Sequence, residues 1–534
     1  MSLFFALLIA LLFASGCARR ETDVEAGIRT QTLIVGNGTE PGSLDPQVAN
    51  LLNDWRIVRA LFEGLASFDE RTAQSVPGVA ERWEVSPDGL VYTFHLRPDA
   101  RWSNGDPLTA EDFVLSLQRM LLPALGSPNS NQLWPIRNAK AFNKGMLTDF
   151  AEVGASALDA HTLRVVLERP TPYLPALTAM FWLPVHRATI ERFGRIDDRS
   201  SAWTRPGNLV GNGPFLLTDW KLHDRVVVQR NPNYWDAGHT RLDSVVFLPN
   251  ENVEAEERNF RAGQVHVTWG LPPWKIARYR ADDPSKLRIE PMLHTKFLWF
   301  NVSRPPLDRI GVRRALSLAI DRESIVHAAH AGTQRPAACF VPPDCGGYTA
   351  RARVPTDFAS ARQLLAEAGF PRGEGLPTLE VQLGVNNATE TKTLEIIQET
   401  WRRELGVEIT LHPMEQKTGI QNMQTRDYTI DLGGWLADFP DPANFLEIFL
   451  SDSGNNWTGW ADPDYDRLID EASHALEQES RFESFQRAEA LLLEEAVVAP
   501  ISFSTSIYLI DPSVRNWEPA PLLLRRFQLV WLEP

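Results

Sequence analysis

The run Leu379, Val381 and Leu383 alternates apolar with polar residues, as a strand with one buried face requires. Thr391 to Leu405 then has helix composition and stops at Gly406, in the position just past a helix end that glycine fills best. Val407, Ile409 and Leu411 alternate again. Strand, helix and strand on this spacing predict a parallel pair joined by a right-handed crossover, since parallel strands need a long connection. This unit commits the second half of the chain to an α/β sheet. A helix over Phe358–Ala368, closed by Gly369 and Pro371, leads into it. In open α/β sheets ligands bind beyond the carboxyl ends of the strands.

The next strand ends in an unusual way. Tyr428, Ile430 and Leu432 alternate with Thr429 and Asp431, and Gly433-Gly434-Trp435-Leu436-Ala437-Asp438-Phe439-Pro440-Asp441-Pro442 follows. Two glycines at a strand end let another backbone or a ligand approach. Trp435 offers an apolar wall and Asp438 a carboxylate. Pro440 and Pro442 forbid a central strand from continuing. Asp441 reads as an N-cap and Pro442 as the first residue of a helix reaching about Leu450. These residues leave two readings open: a packed turn whose Asp438 bonds nearby amides, and a ligand site.

The chain has 534 residues, a prior for about three or four domain-sized units. Its net charge of -15, spread along the chain, argues against nucleic acid or an anionic membrane surface as a partner. Leu3 to Phe13 is an apolar run too short to span a bilayer, followed by Ala14-Ser15-Gly16-Cys17. Small residues there read as a signal-peptide cleavage region. A Cys directly after Ser15-Gly16 resembles a bacterial lipobox, so Cys17 is expected to carry lipid, with a polar tether behind it. Cys339 and Cys345 remain, and an exported chain with two nearby cysteines favours a short disulfide loop. Two unpaired thiols are the alternative.

Ordered stretches along the first half and beyond carry a family resemblance. They include Ser43-Leu44-Asp45-Pro46, Leu61-Phe62-Glu63-Gly64-Leu65 and Pro77-Gly78-Val79-Ala80-Glu81. The densest runs from Asp88 to Arg97 and continues through Trp102-Ser103-Asn104-Gly105-Asp106 and Thr109-Ala110-Glu111-Asp112-Phe113. Gly211-Asn212-Gly213-Pro214-Phe215, Asn231-Pro232-Asn233-Tyr234-Trp235, Arg313-Arg314-Ala315-Leu316, Ala319-Ile320-Asp321-Arg322 and Leu364 to Gly369 follow. The chain resembles the extracellular solute-binding proteins of family 5, the oligopeptide-binding proteins of ABC importers. The turn at Asp438 matches that family's Gly-Trp-x-Ala-Asp-Tyr-x-Asp-Pro.

The resemblance implies an α/β, two-lobed periplasmic-binding-protein fold of the flytrap type, with an extra domain inserted in the first lobe. It places a signal peptide at 1–16 and a lipidated tether at 17–30. Lobe I takes 31–63, 205–290 and 511–534, with the inserted subdomain at 64–204 and lobe II at 291–510. The two crossings fall near Pro291–Lys296 and Tyr508–Asp511. In relatives the Asp matching Asp438 pairs with a peptide's α-amino group. The stretches matching Gly434, Trp435 and Leu436, and Asn50, Leu51 and Leu52, pair with its backbone, and Phe439 lies beside them. Implied partners are short peptides, an ABC permease with its ATPase, and a membrane reached through the lipid anchor. The protein is expected to be a periplasmic monomer without cofactor or metal.

The pattern also departs from the family. Relatives often carry a Trp near Gln416 and Arg near Met423 and Leu432, which hold peptide carboxylates, and an acid near Asn50. The amino-end contact is retained and those carboxylate contacts are not. A different peptide length or another cargo (haem, a nickel complex, a glycoside) is therefore an alternative, as is use of the fold for sensing or chaperoning. An enzyme finds no support: Gly-x-Ser-x-Gly, His-Glu-x-x-His, phosphate-loop and dinucleotide motifs are all missing. His327 and His330, one helical turn apart, read as surface or packing residues rather than metal ligands. Asp462, Asp464 and Asp466 open like a calcium loop, but Arg467 and Ser473 stand where Gly and Glu are needed, so the stretch reads as a helix start.

Overall fold

The computed structural model describes residues 21–384 and 388–534. The predicted crossover unit is present: Leu379–Gly384 pairs in parallel with Ile409–Met414, from Leu379 opposite Ile409 to Gly384 opposite Met414. The helix between them runs Ala388–Leu405 and buries Leu394, Ile397, Trp401 and Leu405, which recur at the spacing of one helix face. These strands close one edge of a six-stranded sheet, ordered 335–336, 498–509, 287–300, 430–436, 379–384 and 409–414.

Two long strands of this sheet organise the molecule. Leu287–Phe300 and Val498–Leu509 pair antiparallel from Leu287 opposite Leu509 to Trp299 opposite Val498. At the Trp299 end they are flanked by the strands of the six-stranded sheet. At the other end Ile510 bridges Val267, and Val267 bridges Val35. Val35 belongs to a four-stranded sheet ordered 32–36, 244–248, 225–230 and 215–221. The same two strands therefore link the two sheets. Their register shifts between Pro291 and Thr295. Pro291 has no N–H for the ladder, and the Leu293 N–H turns away to the Pro521 carbonyl at 3.0 Å.

A third sheet, ordered 80–85, 91–96, 162–166 and 155–159, is built from the motif-rich first half. The helix Ala110–Leu121 starts at a capping box, with the Thr109 N–H donating to Asp112 Oδ2 at 2.8 Å. The matched motifs meet in space. Glu63, buried, accepts from the Tyr234 hydroxyl at 2.7 Å and the Trp235 indole at 2.6 Å, while Asn212 exchanges hydrogen bonds with the Glu63 backbone. Asp45 and Arg119 form a buried pair at 2.7 Å. The chain's end closes its beginning: Gln31 donates to the Leu532 carbonyl at 2.8 Å and accepts from the Leu532 N–H.

Asp462 caps the helix Pro463–His474, accepting from the Asp464 and Tyr465 amides. Among the described residues no helix is long and apolar enough to cross a membrane. Nor does any group of three or more His, Cys, Asp or Glu there suit a metal ion. The signal region and Cys17 lie outside the described residues.

Candidate functional site

The strand Ile430–Leu436 has one edge filled and one edge open. Along its whole length it pairs with His294–Phe300. On the other side only Ile430 and Asp431 find partners, Val381 and Gln382. From Leu432 to Leu436 no described strand pairs with that edge. In an antiparallel ladder alternate residues point their N–H and C=O groups away from the partner, so the open stretch offers main-chain donors and acceptors to an added strand.

The two glycines serve the filled edge. A Cβ on Gly433 would lie 2.6 Å from Trp299 Nε1, and one on Gly434 would lie 2.5 Å from His294 Nε2. They make room for an indole and an imidazole from the neighbouring strand rather than for a ligand backbone alone. His294 is held by Ser504 Oγ at 2.6 Å, and burial, with Lys296 nearby, pushes its pKa down to about 3. Trp435 and Leu436 stay half-buried beyond the glycines, and the Trp435 indole donates to Asn444 Oδ1 at 3.1 Å.

Asn444 then fixes the turn. The same Oδ1 accepts from the Asp438 N–H at 3.2 Å. The Asp438 carboxylate is met by amides: Gln132 Nε2 at 3.4 Å from Oδ2, and the Asn444 side chain. Burial pushes the Asp438 pKa up to about 6, and the bond from Asn444 opposes it. Three residues on, Asp441 is differently placed. It accepts from the Ala443 N–H at 2.9 Å, as a cap does, and is also gripped by Arg481 at 2.6 and 2.8 Å. The pair is buried. The helix after it is shorter than expected, Ala443–Leu446 with a 3₁₀ turn to Phe449. Phe439 is buried and stacks on Tyr173, with ring centroids 4.7 Å apart.

The segment at Asn50 is positioned from two sides. Asn129 Nδ2 donates to the Ala49 carbonyl at 3.1 Å. Asp54 Oδ2 accepts the N–H groups of Asn50 and Leu51 at 3.3 and 3.2 Å. The Leu51 carbonyl receives the Asp54 and Trp55 amides. These bonds engage the N–H groups of Asn50 and Leu51 and the carbonyls of Ala49 and Leu51. Leu51 is half-exposed, and Leu52 begins the helix Leu52–Leu61. Gln132 and Asn129 come from one stretch, so it touches both the Asp438 turn and the Asn50 segment. Met423 and Leu432 are buried apolar residues.

The short disulfide loop expected from the sequence is not formed: Cys339 and Cys345 are separate buried thiols. The physical reason is a different fastening. Buried Glu489 accepts from the Phe340 and Val341 amides at 2.7 and 2.9 Å and from the Tyr348 hydroxyl at 2.8 Å. Cys339 Sγ turns to the Val341 carbonyl at 3.5 Å, and Cys345 bridges Tyr348. Burial pushes the Cys339 thiol up to about 12 and raises Cys345 as well. Sequence reading also missed Gln132, His294 and Arg481, and it placed Asn444 at the end of the site stretch, Gly433 to Asn444, without giving it a role. Asn444 lies six residues from Asp438, where a turn brings side chains together. Arg481 carried no local signal.

Paired sheets joined by two continuous strands, with an open strand edge and an amide-bound carboxylate beside the junction, define a two-lobed α/β solute-binding fold. Residues 74–457 match the family described as "Bacterial extracellular solute-binding proteins, family 5 Middle", and the chain belongs to that family. It is 34% identical over 529 residues to the periplasmic oligopeptide-binding protein OppA of Salmonella typhimurium, covering 96% of this chain and 94% of that protein. It is also 34% identical over 494 residues to the probable deoxycholate-binding periplasmic protein YgiS of Escherichia coli, with 91% and 90% covered. Among solved structures, the murein tripeptide-binding protein MppA of Escherichia coli superimposes with a TM-score of 0.81 at 32% identity, over 94% of this chain and 98% of that one. Haemophilus influenzae OppA in complex with RPPGFSPFR gives 0.78 at 29%, over 94% and 99%.

Proposed function

We propose that this protein is the receptor of a peptide ABC importer, and that it captures short peptides between its lobes and hands them to a membrane permease. The observation that carries the reading is the open edge Leu432–Leu436 running into Asp438, a half-buried carboxylate met by amides and, among the described residues, by no cation. A peptide laid on the edge gains main-chain bonds without its sequence being read. Its ammonium group supplies the charge that Asp438 lacks. The names of the relatives support the same cargo class. The reading includes a periplasmic monomer anchored through a lipid on Cys17. It also includes lobes with the boundaries given above, closing about the Leu287–Phe300 and Val498–Leu509 strands.

Asp438→Asn keeps the shape and removes the charge. It is expected to cost roughly 3–5 kcal/mol of peptide affinity, the range for removing one partner of a buried pair. Acetylating the peptide's amino end costs a similar amount in the wild type and little in the variant. Calorimetry on the four combinations makes a double-mutant cycle; losses that simply add would remove Asp438 from the amino group. A second reading, an amphiphilic carboxylate cargo, is favoured by the likeness to the deoxycholate-binding relative. Such a cargo has no ammonium, so Asp438→Asn would leave its binding unchanged. Mass spectrometry of the molecule that co-purifies separates the two.

A further inference from the structure

Beside Leu52 lies a cavity of about 210 Å³, walled by Trp269, Tyr508 and Trp517 and holding two arginines, Arg56 and Arg525. Both arginines are more than nine-tenths buried. Each is pinned by one edge and stacked on an indole. Arg56 Nη1 donates to the Gly36 carbonyl at 2.7 Å, and its guanidinium lies 4.9 Å from the Trp269 ring. Arg525 Nη2 donates to Glu290 at 2.8 Å and to the Tyr508 hydroxyl at 3.0 Å, and its guanidinium lies 4.4 Å from the Trp517 ring. Arg525 Nη1 has no hydrogen-bond partner among the described residues.

Carboxylates stand near both arginines: Glu256 acts on Arg56, and Glu70 on Arg525. Glu290 is bonded to Arg525. The nearby Glu256 gives its oxygens to the Trp269 and Gly270 amides rather than to Arg56. Burial and the neighbouring Arg525 together pull the Arg56 pKa down to about 10. Two guanidiniums that repel one another, each held flat by an aromatic ring, are organised to receive a planar anion. A buried nitrogen left without an acceptor is costly, and a carboxylate oxygen would satisfy it.

We propose that this cavity is a carboxylate subsite of the cargo cleft, in which Arg56 and Arg525 receive an acidic group of the bound peptide. The proposal rests on the peptide reading above and adds a preference to it. The carboxylate has two sources, an acidic side chain or the peptide's own carboxyl end.

The test uses calorimetry on the full chain with alanine tetrapeptides carrying one Glu or one Gln at each position in turn, and with tetra-alanine whose carboxyl end is free or amidated. A Glu peptide should bind about tenfold tighter than its Gln partner at one position, the scale of one charge-assisted hydrogen bond. Arg56→Met should erase that preference and leave the Gln peptide within about twofold. If amidation alone costs about tenfold and Arg56→Met removes that cost, the source is the carboxyl end. Absence of both preferences overturns the subsite while leaving the peptide reading intact. Should Arg56→Met fail to fold, the indole N–H signals of Trp269 and Trp517 in the wild type decide: they move with the preferred carboxylate peptide and not with its neutral partner. If no peptide binds, the peptide reading fails, and N-acetylglutamate against N-acetylglutamine is titrated on those signals. A response to the acid alone supports the subsite, and equal or absent responses overturn it.

Discussion

Asp438 and Asp441 stand three residues apart on one turn and do opposite work. Asp441 is gripped by Arg481 through two bonds and accepts the Ala443 N–H as well, so its charge is matched inside the protein. Asp438 is half-buried, and its neighbours are the neutral amides of Gln132 and Asn444. The first arrangement stabilises the fold. The second costs stability and leaves an interaction for a partner from outside to complete. Burial alone therefore does not separate structural from functional carboxylates here; what separates them is the charge of the groups that meet them.

The largest effect should come from breaking the matched pair. Arg481→Met leaves Asp441 buried without its cation and should cost about 3–5 kcal/mol in urea unfolding. A loss near zero would mean that Asp441 is no better matched than Asp438. Next, Gly434→Ala disturbs the strand leading to Asp438 without touching either carboxylate. Its Cβ meets His294 at 2.5 Å, so a loss of about 1–3 kcal/mol is expected from overpacking. Adding His294→Ala should recover much of it.

Asp438→Asn should do the reverse of Arg481→Met. The Asp438 pKa is raised from 3.8 to about 6, so the folded protein holds this proton more tightly than the unfolded chain does. That contribution is fully present below pH 3.8 and is lost as pH rises through about 6. At pH 7, without peptide, the ionised carboxylate is a burden that Asn removes. The variant should be more stable than wild type by about 1–2 kcal/mol in thermal melts, with the gain vanishing near pH 4. A variant less stable at pH 7 would put a hidden cation beside Asp438. The smallest effect belongs to Gln132→Ala. The bond to Asp438 is long, at 3.4 Å, and its loss should change peptide affinity by only about 0.5 kcal/mol.

The sequence made the crossover unit and the strand before Gly433 readable, because each rests on a pattern within a few residues. It was blind where the partner lies far along the chain. Arg481 is 40 residues from Asp441, and Glu489 is 141 residues from Tyr348. For that reason Asp441 read as a plain cap and Cys339 with Cys345 as a disulfide. Gly433 and Gly434 were recognised as places of close approach, but the groups that approach, Trp299 and His294, come from a strand more than 130 residues earlier. The Asn50 segment was located through the resemblance alone, and the engagement of its amides by Asp54 follows from a helix start whose first turn reaches back.

The bond between Gln31 and Leu532 joins residues 501 positions apart. The strand Thr32–Gly36 meets its neighbour Ser244–Leu248 only after some two hundred residues, and Leu287–Phe300 waits as long again for Val498–Leu509. Pairings so distant in sequence form slowly, because loop closure must come before any contact rewards it. While the chain is being made, its first strand has nothing to pair with and the two sheets cannot be joined until the last few dozen residues arrive. The emerging chain is therefore held back from its compact form by topology alone. Until those pairings form, the apolar faces of the strands stay open to association with other chains.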